Sequence, residues 1–352
     1  MSALPSAVLL RVLRSPETMA ALSADAWTDL IRAARASALL GKLAVLADDA
    51  GIRDGLPRAV RWAFEAADLA CAENARMLRW EVNRLTHALR QTSITPVLLK
   101  GAAYVISGLQ AGRGRMASDL DILVARGDLA DVEKAVIAGG WQPELEDGYD
   151  ERYYRDWMHE LPPYRHEDRE TLIDIHHTIL PLTGRIRPDA AAMLADSATI
   201  EGHRARILSP EDMVVHAAVH LAQDGDLSNR LRDLVDLSQL VEEFRQDSGF
   251  WDRLADRTAL HDASRPVFYA LATAQRLLGL ELPAGFLQET GRLTASLMAT
   301  LIDRAIPPVL YEERSLGTRF ARLALFIRSH WLRMPPFMLA RHLLRKVLRG
   351  GH

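Results

Sequence analysis

Two aspartates one residue apart, Asp119 and Asp121, close an otherwise apolar stretch, "SDLDILV". A third, Asp174, interrupts a second alternating run, "TLIDIHHTI", and shares a face there with His176. Strand side chains alternate, so Asp119 and Asp121 share one face with Leu123, while Leu120, Ile122 and Val124 form the expected core face. Like charges so placed repel, by about 4 kcal/mol at ~4 Å and an effective dielectric of ~20. Water, protonation or a divalent cation relieves that repulsion. Hard oxygen ligands select Mg²⁺, with Mn²⁺ as a substitute, and such ions also take substrate phosphates. Asp-x-Asp by itself equally describes a solvated surface pair. The third carboxylate shifts the reading toward one or two ions held for in-line phosphoryl chemistry.

A phosphate site needs donors as well. "VLLKGAA" puts Gly101 at a strand-to-helix turn, with Lys100 before it and Ala102 after it. Backbone N–H groups at such a turn favour an anion. Arg113 and Arg115 occupy the glycine-containing loop that leads through Ser118 to the aspartates. Taken singly, these are a plain turn with solvated arginines; taken with the aspartates, Lys100, Gly101, Ala102, Arg115, Ser118 and His176 read as nucleotide contacts.

Other histidines divide by position. His159 lies in "DWMHELPPYRHE", ahead of a proline pair, and reads either as a cleft residue or as a polar loop residue. His177 faces away from Asp174 and reads as structural. His216 and His220 are four apart on one helix face, a zinc spacing, but Ala217, Ala218 and Val219 between them supply no general base. They are expected to face the cleft or to bond the next helix, where Arg232, Asp233 and Asp236 offer partners. For Asp233 and Asp236 a helix–helix ion pair is preferred over a contact to base or ribose.

These groups need elements to hold them. Residues 1–92 carry helical periodicity and no chemical cluster; "SADAWTDLIRAARASALLGKLAVLADDAG" runs from a Ser23 cap toward Gly51 as its stop. In residues 93–208 the period changes: "ITPVLL", "SDLDILV" and "TLIDIHHTI" read as strands, and "ATIEGHRARIL" as one more. "AAYVISGLQ" and "RGDLADVEKAVIAGG" read as the helices between them. From Ser209 to 352 helices return, opened by "SPEDMVVHAAVHLAQDG". The fold class is α+β, a small mixed sheet between helical regions. From Thr318 to His352 there is no acid, and Arg341, Arg345 and Arg349 form a stripe read as a solvated helix face in preference to a membrane or nucleic-acid grip.

Bulk composition sets limits on partners. The 352 residues are 49% hydrophobic and 25% charged, with a net charge of −3, so no global bias calls for nucleic acid or membrane. One cysteine, Cys71, forms no internal disulfide and reads as a packed hydrophobe. No run is long and apolar enough to span a bilayer, and Arg11 and Arg14 break the N-terminus too early for a signal peptide, so a cytoplasmic location is expected.

The forms "LLKGAA", "RMASDLDILV", "HELPPY" and "LIDIHHTIL" closely resemble the polymerase-β-like nucleotidyltransferase superfamily, and within it the uncharacterised bacterial nucleotidyltransferase branch called NTP-transferase-5. Most of the chain resembles that branch. Matched by position, Asp119 and Asp121 correspond to its metal-binding pair, Asp174 to its third carboxylate and Gly101 to the glycine of the triphosphate turn. Ala102 departs, standing where serine or a second glycine is common. The resemblance implies a nucleotidyltransferase core and Mg²⁺-dependent transfer of a nucleoside monophosphate from an NTP, ATP foremost, with pyrophosphate released. The acceptor, whether small molecule, peptide or protein, is not implied. Rival readings are a nucleotide-binding scaffold without transfer and an RNA-modifying or toxin-type transferase.

Overall fold

The computed structural model describes residues 4–144, 154–155, 157–223, 230–286, 292–307 and 310–333. The basic stripe at Arg341, Arg345 and Arg349 lies outside them. Helices α1 (Pro5–Arg14), α2 (Ala24–Ala36), α3 (Leu40–Asp49) and α4 (Arg58–Ala88) come first. Ser23 caps α2 as expected, its hydroxyl accepting from the Ala26 N–H at 3.3 Å. The helix does not run on to Gly51, however. Ala38 takes a left-handed φ of 54° and splits the segment into α2 and α3. That break brings the start of α3 against the loop described below.

Between α4 and Pro210 the described residues form seven short strands and three α-helices of six or more residues. The strands are β1 (Val97–Leu98), β2 (Asp119–Leu123), β3 (Trp141–Pro143), β4 (Tyr164–His166), β5 (Leu172–His176), β6 (Ala198–Thr199) and β7 (Arg206–Ile207). The helices are α5 (Lys100–Ile106), α6 (Leu129–Ala138) and α7 (Ala190–Ala195). One mixed sheet runs β3-β4-β5-β2-β1-β7-β6, with β2 parallel to β5 and β1 parallel to β7. Sequence reading lacked β3 and β4, whose three residues are too few for a period to show. "ATIEGHRARIL" is not one strand but a hairpin, β6 and β7, turning at Gly202 with φ 75°.

Helices α8 (Pro210–Gln223), α9 (Arg230–Phe244), α10 (Phe250–Leu260), α11 (Ser264–Leu278), α12 (Arg292–Ala305) and α13 (Leu316–Arg333) follow among the described residues. α8 and α9 roof the carboxylate side of β2, because their side chains share one cleft with Asp119 and Asp121. Leu123, which shares the face of Asp119 and Asp121, is 0% exposed, so that face of β2 is covered there too. Among the described residues no helix is long and apolar enough to cross a membrane.

The N-terminal helices also hold the loop that precedes the aspartates. The Lys42 ammonium, on α3, donates to the carbonyls of Gln110 and Ala111 at 3.1 and 3.3 Å. Asn74, on α4, clasps Ala117 twice at 2.9 Å, donating to its carbonyl and accepting from its N–H. Gly41 and Gly114 meet backbone to backbone. A Cβ on Gly41 would lie 2.6 Å from the Gly114 carbonyl oxygen and 2.7 Å from Cys71 Sγ. Gly41→Ala is therefore expected to lower stability by about 1–3 kcal/mol through overpacking against backbone. Urea unfolding measures this, and an unchanged midpoint would refute the contact.

Candidate active site

Strand β2 passes through the middle of the sheet, and its parallel pairing with β5 puts Asp121 opposite Asp174 and Asp119 opposite Leu172. Paired residues on adjacent strands point to the same face. The three aspartates therefore occupy one face of two neighbouring strands, as the alternation required.

Asp121 is the buried member, 2% exposed. The Lys100 ammonium donates to its Oδ1 at 2.6 Å, and His176 Nε2 lies 2.9 Å from the same oxygen. Among the described residues none bonds Oδ2. Burial by itself would raise this carboxyl's pKa, but Lys100 and His176 outweigh it and hold the group far below the usual carboxylate range. Burial pushes Lys100 down, and the attraction of Asp121 overrides that, so its pKa ends raised.

Local backbone explains how Lys100 arrives there. The Leu99 N–H donates to the Asp121 carbonyl at 3.0 Å, which extends the β1–β2 ladder by one step. Lys100 then turns with φ 49°, a left-handed conformation that few non-glycine residues adopt. Gly101 follows because a Cβ there would lie 3.0 Å from Arg115 Nη1 and 3.1 Å from the Ala117 Cβ. The turn thus packs against the loop that Asn74 holds.

The other two aspartates are less well compensated. Burial and then Asp121 push Asp119 up; its hydroxyl partner is Ser118, 3.2 Å away. Burial, Asp121 and Glu160 push Asp174 up to about 7. Asp174 makes no hydrogen bond or ion pair with any described residue. A carboxylate cluster with one strong cation and two raised members fits a divalent ion, which would lower all three together.

A cleft of about 730 Å³, open mouth included, extends from Asp119 and Asp121 toward α8 and α9; Asp174 is not among its lining residues. Lys100, Gly101, Arg115, Ser118, Asp119 and Asp121 line it. Ala102 does not; its side chain is 1% exposed, inside the core. His176 does not either. Its ring lies under Asp121, 2% exposed, so it supports a carboxylate instead of meeting a nucleotide. Arg113 is turned to the surface, paired with Asp49 at 2.8 Å. Arg115 lines the cleft, but its Nε pairs with the buried Asp236 at 2.6 Å and its Nη1 donates to the Met116 carbonyl at 2.6 Å.

From the roof come His216, His220, Arg232, Asp233 and Asp236. Burial, with Lys100 nearby, drives His216 down to about 3, so its imidazole faces the cleft neutral. His220 Nδ1 lies 3.0 Å from Arg230 Nη1, and Arg230 is itself paired with Asp233 at 2.6 Å. His220 thus meets the next helix through Arg230, with Asp233 at 4.0 Å; the ion pairs of Asp233 and Asp236 are not helix–helix ones, since Asp233 pairs with Arg230 and Arg232 of its own helix and Asp236 with Arg115 of the loop. Three contributors escaped the sequence reading. Asn74 and Lys42 position the loop from a region without apparent chemistry. Glu160 sits beside His176, its Oε2 3.3 Å from Nδ1, and the acid in "HELPPY" was the available sign.

Comparison with known proteins adds a family. A family model described as an uncharacterised nucleotidyltransferase matches residues 23–279. One solved structure, an antigenic nucleotidyltransferase-like protein from Paracoccidioides brasiliensis, overlaps 54% of this chain and 91% of its own. At 15% identity and a TM-score of 0.29, that overlap is too loose to carry an argument. Among curated proteins none matches.

Asp174 supplies a pH test. Its carboxyl titrates near 7 in the folded chain against an ordinary 3.8, so between those values the folded form binds more protons than the unfolded one. Stability from this group is therefore present at low pH and falls as pH rises from about 4 to about 7. Asp174→Asn is expected to flatten that fall, melting above the wild type at about pH 8 in chelator and by a smaller margin at about pH 5. Equal margins at both values would mean the carboxyl is not raised.

Proposed function

The chain belongs to the uncharacterised nucleotidyltransferase family, and we propose that it transfers a nucleoside monophosphate from an NTP, ATP foremost, to an acceptor, releasing pyrophosphate. Residues 93–208 would form the transfer core, with 1–92 and 209–352 flanking it. One observation carries the reading: Asp121 and Asp174 face one another across parallel strands, with Asp119 on the same face. Asp119, Asp121 and Asp174 would hold Mg²⁺, which supplies Lewis-acid stabilisation of phosphate charge and acidifies an attacking hydroxyl.

The chain's own groups account for the rest. Lys100 presents an ammonium at the cleft floor beside Asp121. Arg115 and Arg232 put positive charge on the opposite walls, each partly offset by Asp236 and Asp233. A triphosphate entering here meets fixed cations in a cleft with restricted water, where such charges act most strongly. Asp174, the third carboxylate on that face, would take the proton of an acceptor hydroxyl. His216, neutral, adds a hydrogen-bonding group without adding charge. The acceptor is a small molecule, a peptide or a protein; the net charge of −3 disfavours nucleic acid.

A second reading has one observation in its favour. Lys100 already neutralises Asp121, as a site that binds nucleotide without transfer would also have it. One experiment separates the two: α-labelled NTPs are incubated with Mg²⁺ and fractionated lysate, using wild type and Asp119→Asn. Asp119 is chosen because it is the least buried of the aspartates on β2 and its loss leaves the Lys100–Asp121 pair intact. Transfer is expected in the wild type and at least ~100-fold less in the variant, the scale of losing one preorganised electrostatic group. Nucleotide binding with no label moved by either protein would favour the scaffold, and equal transfer by both would remove the three-aspartate site.

A further inference from the structure

We propose that His159, Glu160 and His176 form a second metal site, for a divalent transition ion of the zinc type, set behind the aspartates. The ladder builds it. Tyr164 pairs with Ile173 in the antiparallel β4–β5 ladder, and Glu160 bridges His176 further along the same side of β5. Pro162 and Pro163 lie between those points and, having no N–H, interrupt the ladder. The chain rejoins at Leu161, whose N–H donates to the Ile175 carbonyl at 2.9 Å, and the His177 N–H donates to the His159 carbonyl at 2.9 Å. "HELPPY" is thus an interrupted edge that sets His159 and Glu160 against the end of β5.

The distances suit coordination better than hydrogen bonding. Glu160 Oε2 lies 3.5 Å from His159 Nε2 and 3.3 Å from His176 Nδ1, and one ligand atom from each residue falls within 4.8 Å of the others. A tetrahedral ion with bonds of ~2.0–2.1 Å needs ligand–ligand edges of roughly 3.3–3.4 Å. Neither short contact is aligned as a hydrogen bond, and His176 Nδ1 is buried without a partner.

The tautomer makes that orphan atom informative. His176 Nε2 faces the Asp121 carboxylate at 2.9 Å, so Nε2 carries a proton. Nδ1 is directed at Glu160 Oε2, 3.3 Å away. In a ring that is 2% exposed these two atoms need a proton or a metal cation between them, and a contact that is not aligned as a hydrogen bond suits the metal better. A carboxylate that accepts from one histidine nitrogen while the other binds the ion is the arrangement that fixes ligand tautomers in metal proteins. Asp121 supplies that carboxylate. Two imidazoles and one carboxylate select a zinc-type ion over Mg²⁺, which prefers oxygen throughout. His176 becomes a positioning residue that ties this ion to Asp121.

The full chain, stripped with chelator and returned to excess Mg²⁺, would be titrated with Co²⁺ as a visible-light reporter. One ion per chain is expected, with a strong low-symmetry d–d band that Zn²⁺ displaces. Glu160→Gln and His159→Asn should each weaken Co²⁺ binding by at least ~100-fold, beyond the usual cost of losing an outer partner. Melting in chelator verifies that each variant folds, and either one suffices. Asp119→Asn should keep the band, so a failed transfer assay leaves this result standing. No band at one equivalent, or an unchanged band in a folded variant, overturns the proposal.

Discussion

An ionised carboxylate in the middle of a sheet is the constraint on which the centre of this protein depends. Asp121 is flanked by β1 and β5 and has almost no contact with water. An uncompensated charge there would cost several kcal/mol. Lys100 and His176 remove that cost from opposite sides, both on Oδ1. Each imposes something on its own neighbourhood. Lys100 must leave β1 in a left-handed turn, which requires glycine next and a close-fitting loop beyond it. His176 must be buried at the end of β5, which leaves its second nitrogen facing Glu160.

That loop explains why helices without chemistry of their own matter to the site. Residues 110–118 have almost no regular structure, yet they deliver Arg115 and Ser118 to the cleft and lead into β2. Lys42 and Asn74 bond the loop's backbone directly, and the Gly41–Gly114 contact admits no side chain. Lys42 is itself buried, which lowers its pKa to about 8, with Asp236 pulling the other way. The N-terminal helices, the loop and the roof are thus linked electrostatically through Arg115 and Asp236 as well as by packing.

Much of this was legible because alternation along a strand is strict. The placement of Asp119, Asp121 and Asp174 on one face follows from period two and parallel register, and β5 needs only its own five residues to show it. Burial of Leu123 was not legible, since alternation tells which face a side chain takes and not what packs over that face. The assignment of Ala102 to the nucleotide came from its place after Gly101, whereas α5 turns that side chain into the core. His176 lay on the expected face, but facing a cleft and facing a neighbouring carboxylate look the same in one dimension. The role of Asn74 had no sign at all, because a single polar residue on a long amphipathic helix is ordinary.

Charge near Asp121 also couples the parts of the site to one another. Lys100 is the principal cation at the cleft floor, and it is engaged with Asp121. On the transfer reading, a triphosphate competes for the same ammonium. Any movement of Lys100 toward phosphate leaves Asp121 with less compensation than its burial demands, while Asp119 and Asp174 are already raised by their shared negative charge. A cation arriving with the nucleotide would meet three carboxylates at the moment one of them loses its partner. Binding of nucleotide and of cation would therefore favour each other, since each relieves the imbalance the other creates. The Lys100–Asp121 pair, which taken alone argues for an inert scaffold, would on the transfer reading compensate Asp121 until nucleotide and cation bind.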